Sequence, residues 1–224
     1  MGSLSDLHID LDFGPGASMS PVGRTSKRIV DIVLALSGII LLSPLLILCF
    51  VLTWASSRET VLFRHKRVGF NGKPFDCLKF RTMLGDAPEL LRKLLETDAA
   101  AAAEWAQCQK LRNDPRVTRI GAILRESSLD ELPQLFNVLM GSMSIVGPRP
   151  VTEDELSRYG ASVKAYTACR PGITGLWQVT GRGTTSYETR VSCDAYYART
   201  WSLALDCKII IVTIPSVLLT KNAH

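Results

Sequence analysis

The chain has 224 residues, of which 46% are hydrophobic, with a formal net charge of +5 and a sequence pI of about 9.0. This length lets one domain, with or without a membrane element, bury a core without disulfides or structural metal. The basic balance favours an anionic partner: nucleic acid, a phosphorylated substrate or anionic lipid. Six cysteines without a CxxC pair and three scattered histidines exclude the usual zinc and redox motifs, and dinucleotide and P-loop motifs are absent from the sequence.

The first two segments of the chain differ sharply in composition. Residues 1–26 are rich in Gly, Ser, Asp and Pro and lack hydrophobic periodicity, so we expect a flexible N-terminal arm. Residues 32–54 follow without one charged side chain, and a helix of that length would measure about 35 Å, enough to cross a bilayer. A single straight transmembrane helix is therefore one interpretation of this stretch.

Two features favour a re-entrant element over 27–57 instead. Pro44 follows Ser43 in the middle of the apolar stretch; proline removes a backbone hydrogen bond and kinks a helix, and the serine hydroxyl can bond to an exposed carbonyl. Lys27 and Arg28 precede the stretch and further basic residues follow it, so the positive-inside rule places both ends in the cytoplasm. We predict a helix–break–helix that enters the membrane and returns to the same face.

The remainder, 58–224, is predicted to form a compact domain, giving a chain of mixed α/β class that is mostly helical. Short β-like runs at 61–63 and 75–80 are separated by a turn signal at 69–72. Apolar periodicity and start signals predict helices at 86–103, 132–140, 153–166 and 187–197. Residues 203–220 are apolar but carry Asp206, Lys208 and Pro215, which favours a helix at the membrane interface over a second span.

The adjacent carboxylates Asp130 and Glu131 are the densest polar feature of the chain. Neighbouring acids are costly to hold together unless a cation neutralises them, which favours a functional site. Helix capping is the alternative, since Ser128-x-x-Glu131 matches a capping box and acids are favoured in a first helical turn. Pro133 fits a helix capped by Asp130 better than one capped by Ser128. The pattern alone leaves both interpretations open.

Two arginines near this pair are candidate phosphate ligands. Arg149 lies between Pro148 and Pro150, which hold the backbone stiff and extended, so its guanidinium is positioned to bind phosphate oxygens. An ordinary surface loop is the alternative. Arg125, five residues before Asp130, is a weaker candidate, because arginines near helix starts usually lie in solvent.

Two other regions give weaker signals. The glycine-rich loop 171–183 offers Gln178 and Arg182 as candidate nucleotide- or sugar-binding residues. The basic run 64–67, with Lys79 and Arg81, is either a solvated face or a contact for anionic lipid headgroups, and its closeness to the membrane segment favours lipid. No basic stripe with a groove-entering element is evident, so nucleic acid is not expected as a partner.

Several blocks of the sequence resemble one known family. The stretches SSLDELPQLFNVLMGSMSIVGPRP (127–150) and RPGITGLWQVTGR (170–182) resemble the signature blocks of the bacterial sugar transferases. These are the monotopic phosphoglycosyl transferases that start exopolysaccharide and O-antigen assembly. CLKFRTM (77–83), YYARTWSLALDCKII (196–210) and the membrane segment with its Ser-Pro break are also similar. The resemblance covers about residues 25–220 and is specific, because several long blocks occur in order.

The resemblance implies transfer of a hexose-1-phosphate from a UDP-sugar to undecaprenyl phosphate. Asp130 would attack the β-phosphorus and hold the sugar-phosphate while UMP leaves, and polyprenyl phosphate would then attack that intermediate. The resemblance also implies that Glu131 helps to bind Mg²⁺, that Arg149 holds a phosphate, and that the membrane element is re-entrant. Residues 58–224 would then be a catalytic domain on the cytoplasmic face of the bacterial inner membrane.

One residue departs from the family pattern. The family usually has an acid where Ser142 stands, so any role of that acid in positioning the metal or the loop is altered here. Longer members carry additional spanning helices and another domain, so we expect this chain to be a minimal catalytic form, most similar to members that use UDP-glucose or UDP-galactose. A membrane-anchored scaffold for polysaccharide assembly is the alternative function. The sequence leaves the donor sugar, the pathway and the oligomeric state open, a homodimer included.

Overall fold

The computed structural model of the chain describes residues 20–57, 59–108, 111, 114–180 and 186–219. The first helix starts at Arg24, so the last three residues of the predicted arm belong to a helix, and residues 1–19 of that arm lie outside the described residues. The chain is mostly helical with two small sheets, which confirms the predicted mixed α/β class.

The helices and strands follow one another in short segments. The helices are α1 (Arg24–Leu41), α2 (Ser43–Ser57), α3 (Ala87–Thr97), α4 (Ala99–Cys108), α5 (Arg119–Glu126), α6 (Gln134–Met140), α7 (Glu153–Ser157), α8 (Val163–Thr167), α9 (Leu176–Thr180), α10 (Tyr187–Thr200) and α11 (Leu203–Leu219). The strands β1 (Leu62–Val68) and β2 (Pro74–Phe80) pair antiparallel, and β3 (Ser144–Val146) and β4 (Gly172–Thr174) pair parallel.

The predicted break in the apolar segment is present. The helices α1 and α2 meet at Leu42 with a bend of 66°. The Ser43 hydroxyl donates to the carbonyl of Ile40 at 2.8 Å, and Pro44 lies in the first turn of α2, where its missing N–H needs no helical partner. Among the described residues no single helix is long and apolar enough to cross a bilayer, whereas the bent pair is so by length and composition. Re-entrant insertion stays a prediction.

The bent pair packs along the rest of the fold on one side. Ala35 of α1 lies in a core cluster with Val138 of α6, and Cys49 of α2 packs with Phe80 of β2 and Leu124 of α5. The outer side exposes large apolar side chains, of which Leu41 at the bend is 79% exposed. The helix pair is therefore continuous with the domain core and presents an apolar face away from it.

A buried ionic network joins the start of α1 to α11. The Lys27 amine lies 2.7 Å from Asp206 Oδ2 and 3.9 Å from Asp31 Oδ1, and all three side chains are buried. Asp206 also accepts hydrogen bonds from the Tyr197 hydroxyl at 2.7 Å and the Trp201 indole N–H at 3.0 Å. The charge of Asp206, one of the residues that argued against a second span, is thus neutralised inside the protein.

The same network reaches β3. Asp31 accepts hydrogen bonds from the Ser144 hydroxyl at 2.8 Å and from the Ile145 backbone N–H at 3.0 Å. Arg28, the neighbour of Lys27, donates to the carbonyls of Val138 and Leu139 at the end of α6, at 2.5 and 2.8 Å. Lys27 and Arg28, which were counted as flanking charges of a predicted membrane segment, therefore attach α1 to the rest of the domain.

Three predicted elements are wrong in part. The single helix predicted over 86–103 is divided into α3 and α4, because Asp98 between them adopts an extended conformation. The single helix predicted over 153–166 is divided into α7, a 3₁₀ turn and α8, because Gly160 adopts a left-handed conformation with φ of 51°. The loop predicted over 171–183 contains β4 and α9, and its residues 181–183 lie outside the described residues. A short parallel strand such as β4 has little local signal, because its partner β3 lies in a distant part of the sequence.

The buried pair between α1 and α11 predicts a stability effect. Asp206→Asn should lower the thermal midpoint of the detergent-solubilised protein by roughly 10 °C, because Lys27 loses its closest buried carboxylate. The matched control is Glu89→Gln, which weakens an exposed pair with Arg92 and should leave the midpoint almost unchanged. Equal shifts in both variants would show that the buried pair does not stabilise the fold.

Candidate active site

Asp130 and Glu131 lie in a tight turn between α5 and α6. Ser128 is left-handed with φ of 57°, Leu129–Glu131 form one 3₁₀ turn, and α6 starts directly after Pro133. In this described segment no side chain caps the 3₁₀ turn or α6. The capping interpretation is therefore wrong, and the buried position of the Asp130 side chain needs another explanation.

A lysine from β2 neutralises the acidic pair. The Lys79 amine lies 2.6 Å from Glu131 Oε1 and 3.9 Å from Asp130 Oδ2. The basic run that includes Lys79 was predicted to be a solvated face or a contact for lipid headgroups, and the structure shows that the Lys79 amine contacts the two carboxylates. This is the cation that adjacent acids require, and no local pattern in the sequence indicates that it comes from this strand.

The position of β2 beside the acidic turn is fixed by Asn137 of α6. Its Oδ1 accepts a hydrogen bond from the Leu78 backbone N–H at 2.8 Å, and its Nδ2 donates to the Asp76 carbonyl at 2.7 Å. Asn137 is almost fully buried, so these bonds exchange little with water. These two bonds fix the β2 backbone at Asp76 and Leu78, and Lys79 is the next residue of the strand.

Ser142 belongs to this set of contacts around Asn137 and not to the acidic pair. Its hydroxyl donates to the Asn137 carbonyl at 3.2 Å and accepts from Asn137 Nδ2 at 3.1 Å. Ser142 does not line the cleft that Lys79 and Glu131 share. The residue that departs from the family pattern thus closes the turn after α6.

Arg149 lines the same cleft as Lys79 and Glu131. It follows β3 through Gly147, where an added Cβ would collide with the Arg170 carbonyl, so the glycine allows β3 and β4 to approach. Part of the Arg149 side chain is exposed, and protein atoms of the cleft walls surround the rest. These atoms partly remove water from the guanidinium and so lower its pKa, while the negative charge of Glu131 opposes that shift. The structure thus places Arg149 in one cleft with Glu131 and Lys79, and its phosphate-binding role stays a prediction.

Arg125 lies near Asp130 but outside the part of the cleft that Arg149 lines. Its Nε donates to the Thr82 hydroxyl at 2.8 Å. Burial lowers the pKa of the guanidinium, and the negative charges of Asp130 and Asp114 oppose that shift. Arg125 therefore contributes to the charge balance of the acidic turn from the α5 side.

The residues predicted for nucleotide or sugar binding are only partly described. Gln178 in α9 lines the cleft; its Nε2 donates to the Ile173 carbonyl at 3.4 Å, and its buried Oε1 has no hydrogen-bond partner in the described structure. Arg182 lies outside the described residues.

Sequence reasoning missed an arginine that lies against Trp177, the neighbour of Gln178 in the chain. The Arg190 guanidinium lies 4.8 Å from the centre of the Trp177 ring and 5.3 Å from that of Tyr187. Its Nε and Nη2 are buried and have no hydrogen-bond partner within the described ranges. Unpaired buried donors cost roughly 1–3 kcal/mol, so this arrangement favours an anionic ligand. In the sequence, Arg190 lies inside the helix predicted over 187–197, and no local pattern marks it as a ligand-binding residue.

Comparison with known proteins identifies the family. Residues 22–220 match the family described as bacterial sugar transferase. The chain belongs to this family. It is 46% identical over 207 residues to the exopolysaccharide production protein ExoY of Sinorhizobium fredii, covering 92% of each chain.

Two further relatives carry more detailed names. The chain is 50% identical over 203 residues to the UDP-galactose-lipid carrier transferase of Erwinia amylovora, covering 90% of this chain and 42% of the relative. It is 41% identical over 244 aligned positions to the UDP-glucose:undecaprenyl-phosphate glucose-1-phosphate transferase of Caulobacter vibrioides, covering 100% of this chain and 84% of the relative. The similarity thus extends over the whole described fold and includes the acidic turn.

The lysine contact predicts a loss of sugar transfer. Lys79→Met should reduce the transferase rate about 100-fold or more, because the acidic pair loses its nearest cation, while the partly exposed position should preserve the fold. Lys66→Met on the same hairpin is the matched control, since Lys66 pairs with the exposed Asp76 and should leave the rate almost unchanged. A rate for Lys79→Met within a few-fold of the control would remove Lys79 from the reaction.

Proposed function

We propose that this sugar transferase moves a hexose-1-phosphate from a UDP-sugar to undecaprenyl phosphate and so starts an exopolysaccharide or O-antigen repeat unit. The observation that carries the proposal is the buried Asp130 carboxylate next to Glu131 and Lys79, two residues that line a cleft together with Arg67 and Arg149. The names of the Erwinia and Caulobacter relatives support the same donor and acceptor classes. A scaffold would not require this arrangement.

The proposed reaction has two displacements at one phosphorus atom. An Asp130 carboxylate oxygen attacks the β-phosphorus of the UDP-sugar; an O–P bond forms, the bridging P–O bond to the α-phosphate breaks, and UMP leaves. A phosphate oxygen of the polyprenyl phosphate then attacks the same phosphorus and releases the Asp130 carboxylate. The cations of Lys79 and Arg149 stabilise the negative charge that both steps bring into the cleft.

The donor nucleotide is proposed to occupy the part of the cleft near α9 and α10. Gln178 offers an amide for hydrogen bonds, Trp177 offers a ring, and Arg190 offers two buried N–H donors for an anionic group. Arg182, which follows α9 in the sequence, stays a candidate for the same role.

Magnesium is proposed as the cofactor, as the family resemblance implies. The described residues contain no cluster of three or more His, Cys, Asp or Glu that could hold a metal by themselves. Mg²⁺ is often bound by only one or two carboxylates together with substrate phosphates, and Glu131 beside Asp130 fits that donor set. A bound Mg²⁺ would supply charge neutralisation for the pyrophosphate.

The bent pair α1–α2 is proposed to be re-entrant in the bacterial inner membrane, with the catalytic domain on the cytoplasmic face. Lys27 attaches the start of α1 to the domain, and the end of α2 continues towards β1 of the same domain. Both ends of the pair are thus tied to one folded unit. A straight span would pull the two ends to opposite faces, which this attachment opposes.

The role of Asp130 predicts a specific kinetic defect. Asp130→Asn should fold, because asparagine keeps the size of the side chain, but the rate should fall by roughly 10³-fold or more, since an amide cannot form the acyl phosphate. Asp76→Asn is the control, because its exposed carboxylate pairs only with Lys66 among the described residues and should leave UMP release unchanged. Near wild-type turnover of Asp130→Asn would exclude the covalent route.

Metal removal gives an independent prediction. Excess chelator should abolish UMP release from the UDP-sugar, and added Mg²⁺ should restore it, because the pyrophosphate brings negative charge next to Glu131. Thermal midpoints measured with and without chelator would show that the fold is unaffected. Full turnover in chelator would remove the metal from the mechanism.

The topology predicts equal labelling of the two flanks. In a variant without the native cysteines, Thr25→Cys and Glu59→Cys should both resist an impermeant thiol reagent added to intact cells, and both should react after permeabilisation. Leu41→Cys, at the exposed bend, should react only after detergent is added. Labelling of one flank from outside would show a full span and contradict the re-entrant arrangement.

A further inference from the structure

An open groove of about 650 Å³ runs between the second half of α2 and the start of β1. Its walls are mostly apolar and include Phe50 of α2 with Val61, Leu62 and Phe63 of the hairpin. Phe50 is 49% exposed and Phe63 is 42% exposed, so two aromatic rings stand in the open groove. Exposed rings grouped in a concavity favour binding of an apolar ligand.

One wall residue of the groove, Phe63, is paired across the hairpin with Lys79. Phe63 lies directly opposite Lys79 in the β1–β2 ladder, and opposite residues of an antiparallel pair place their side chains on the same face. The Lys79 amine in turn contacts Glu131 and lies 3.9 Å from Asp130. A ligand that lies along Phe63 is therefore on the same face of the hairpin as the lysine that contacts the acidic pair.

The polar rim of the groove carries two arginines. Arg81 is held in one orientation, because its Nε donates to the Thr60 carbonyl at 2.7 Å and its Nη2 to the Thr60 hydroxyl at 2.6 Å. Arg64 is exposed at the same rim, and no carboxylate of the described residues lies within ion-pair distance of it. Guanidinium groups at the edge of an apolar groove suit a phosphate attached to a hydrocarbon chain.

We propose that this groove binds the acceptor lipid, with the isoprene units nearest the phosphate lying along Phe50 and Phe63. The inference rests on the proposed function, in which a polyprenyl phosphate attacks the sugar-phosphate on Asp130. The groove borders α2, which belongs to the proposed membrane element, so the lipid enters from the bilayer without leaving it. Arg64 and Arg81 attract the phosphate, which then meets Lys79. A nucleotide sugar is too polar for these walls.

A matched pair of substitutions on α2 tests the groove. Phe50 and Val51 are neighbours and are both 49% exposed, but only Phe50 lines the groove. Phe50→Gln and Phe63→Gln should raise the KM for undecaprenyl phosphate about tenfold and leave the KM for the UDP-sugar unchanged, whereas Val51→Gln should change neither. Equal effects of Phe50→Gln and Val51→Gln on the acceptor KM would overturn the proposal.

Photocrosslinking tests the contact without requiring turnover. The full chain with benzoylphenylalanine at position 63 or 51 is placed in phosphatidylethanolamine–phosphatidylglycerol vesicles that contain radiolabelled undecaprenyl phosphate. Label should attach at position 63, should be displaced by unlabelled undecaprenyl phosphate, and should not attach at position 51. Crosslinks to bulk phospholipid alone, or equal labelling at both positions, would contradict the groove assignment. Failure of wild-type protein to release UMP from UDP-sugars would instead contradict the proposed function.

Discussion

The buried ion pair between Lys27 and Asp206 is the contact on which the arrangement of the molecule depends. Two charges removed from water are stable only when they are paired and hydrogen-bonded, and Asp206 meets that condition through Lys27, Tyr197 and Trp201. Removing one of the two side chains leaves the charge of the other buried and unpaired. The contact therefore restricts the position of α1 relative to α11. Through Asp31 the same network holds β3, which continues into the loop that carries Arg149.

The contact between α1 and α11 links the bent helix pair to the geometry of the candidate active site. The first helix of the bent pair is attached to β3, and its second helix packs against β2 and α5, which carry Lys79 and lead into the acidic turn. Asn137 then clamps α6 to β2 at Leu78 and Asp76. The carboxylates, the lysine and the arginine come from three separate segments, and all three segments contact the bent helix pair or its network.

Features with a local cause could be predicted from the sequence. The break at Ser43-Pro44 follows from the missing N–H of proline. The basic residues on both sides of the apolar stretch and the acidic pair can be read directly from the sequence. The resemblance of the long blocks supplied Asp130, Glu131 and Arg149 as site residues. Local pattern did not separate capping from function at Asp130, because the same residues satisfy both, and only the left-handed Ser128 and the uncapped α6 in the structure argue against capping.

Features that depend on distant contacts could not be predicted in this way. Lys79 was grouped with a basic face because its partners lie about 50 residues further along the chain, in an element whose position depends on Asn137. Arg190 gave no signal inside a helical pattern, and its importance appears only when Trp177 and Tyr187 surround it. The strand β4 was taken for loop because a parallel partner is invisible in local sequence.

Mass spectrometry of the wild-type protein can detect the proposed intermediate, in which Asp130 carries the sugar-phosphate between two displacements. The enzyme would be incubated with a UDP-sugar and without polyprenyl phosphate, quenched, and digested to release the peptide that contains Asp130. We expect a mass increase of one hexose-phosphate on Asp130, equal in amount to the UMP released, which disappears when undecaprenyl phosphate is added. Stoichiometric transfer with acceptor present, and no modified peptide in its absence, would contradict the proposed intermediate and indicate direct attack by the acceptor.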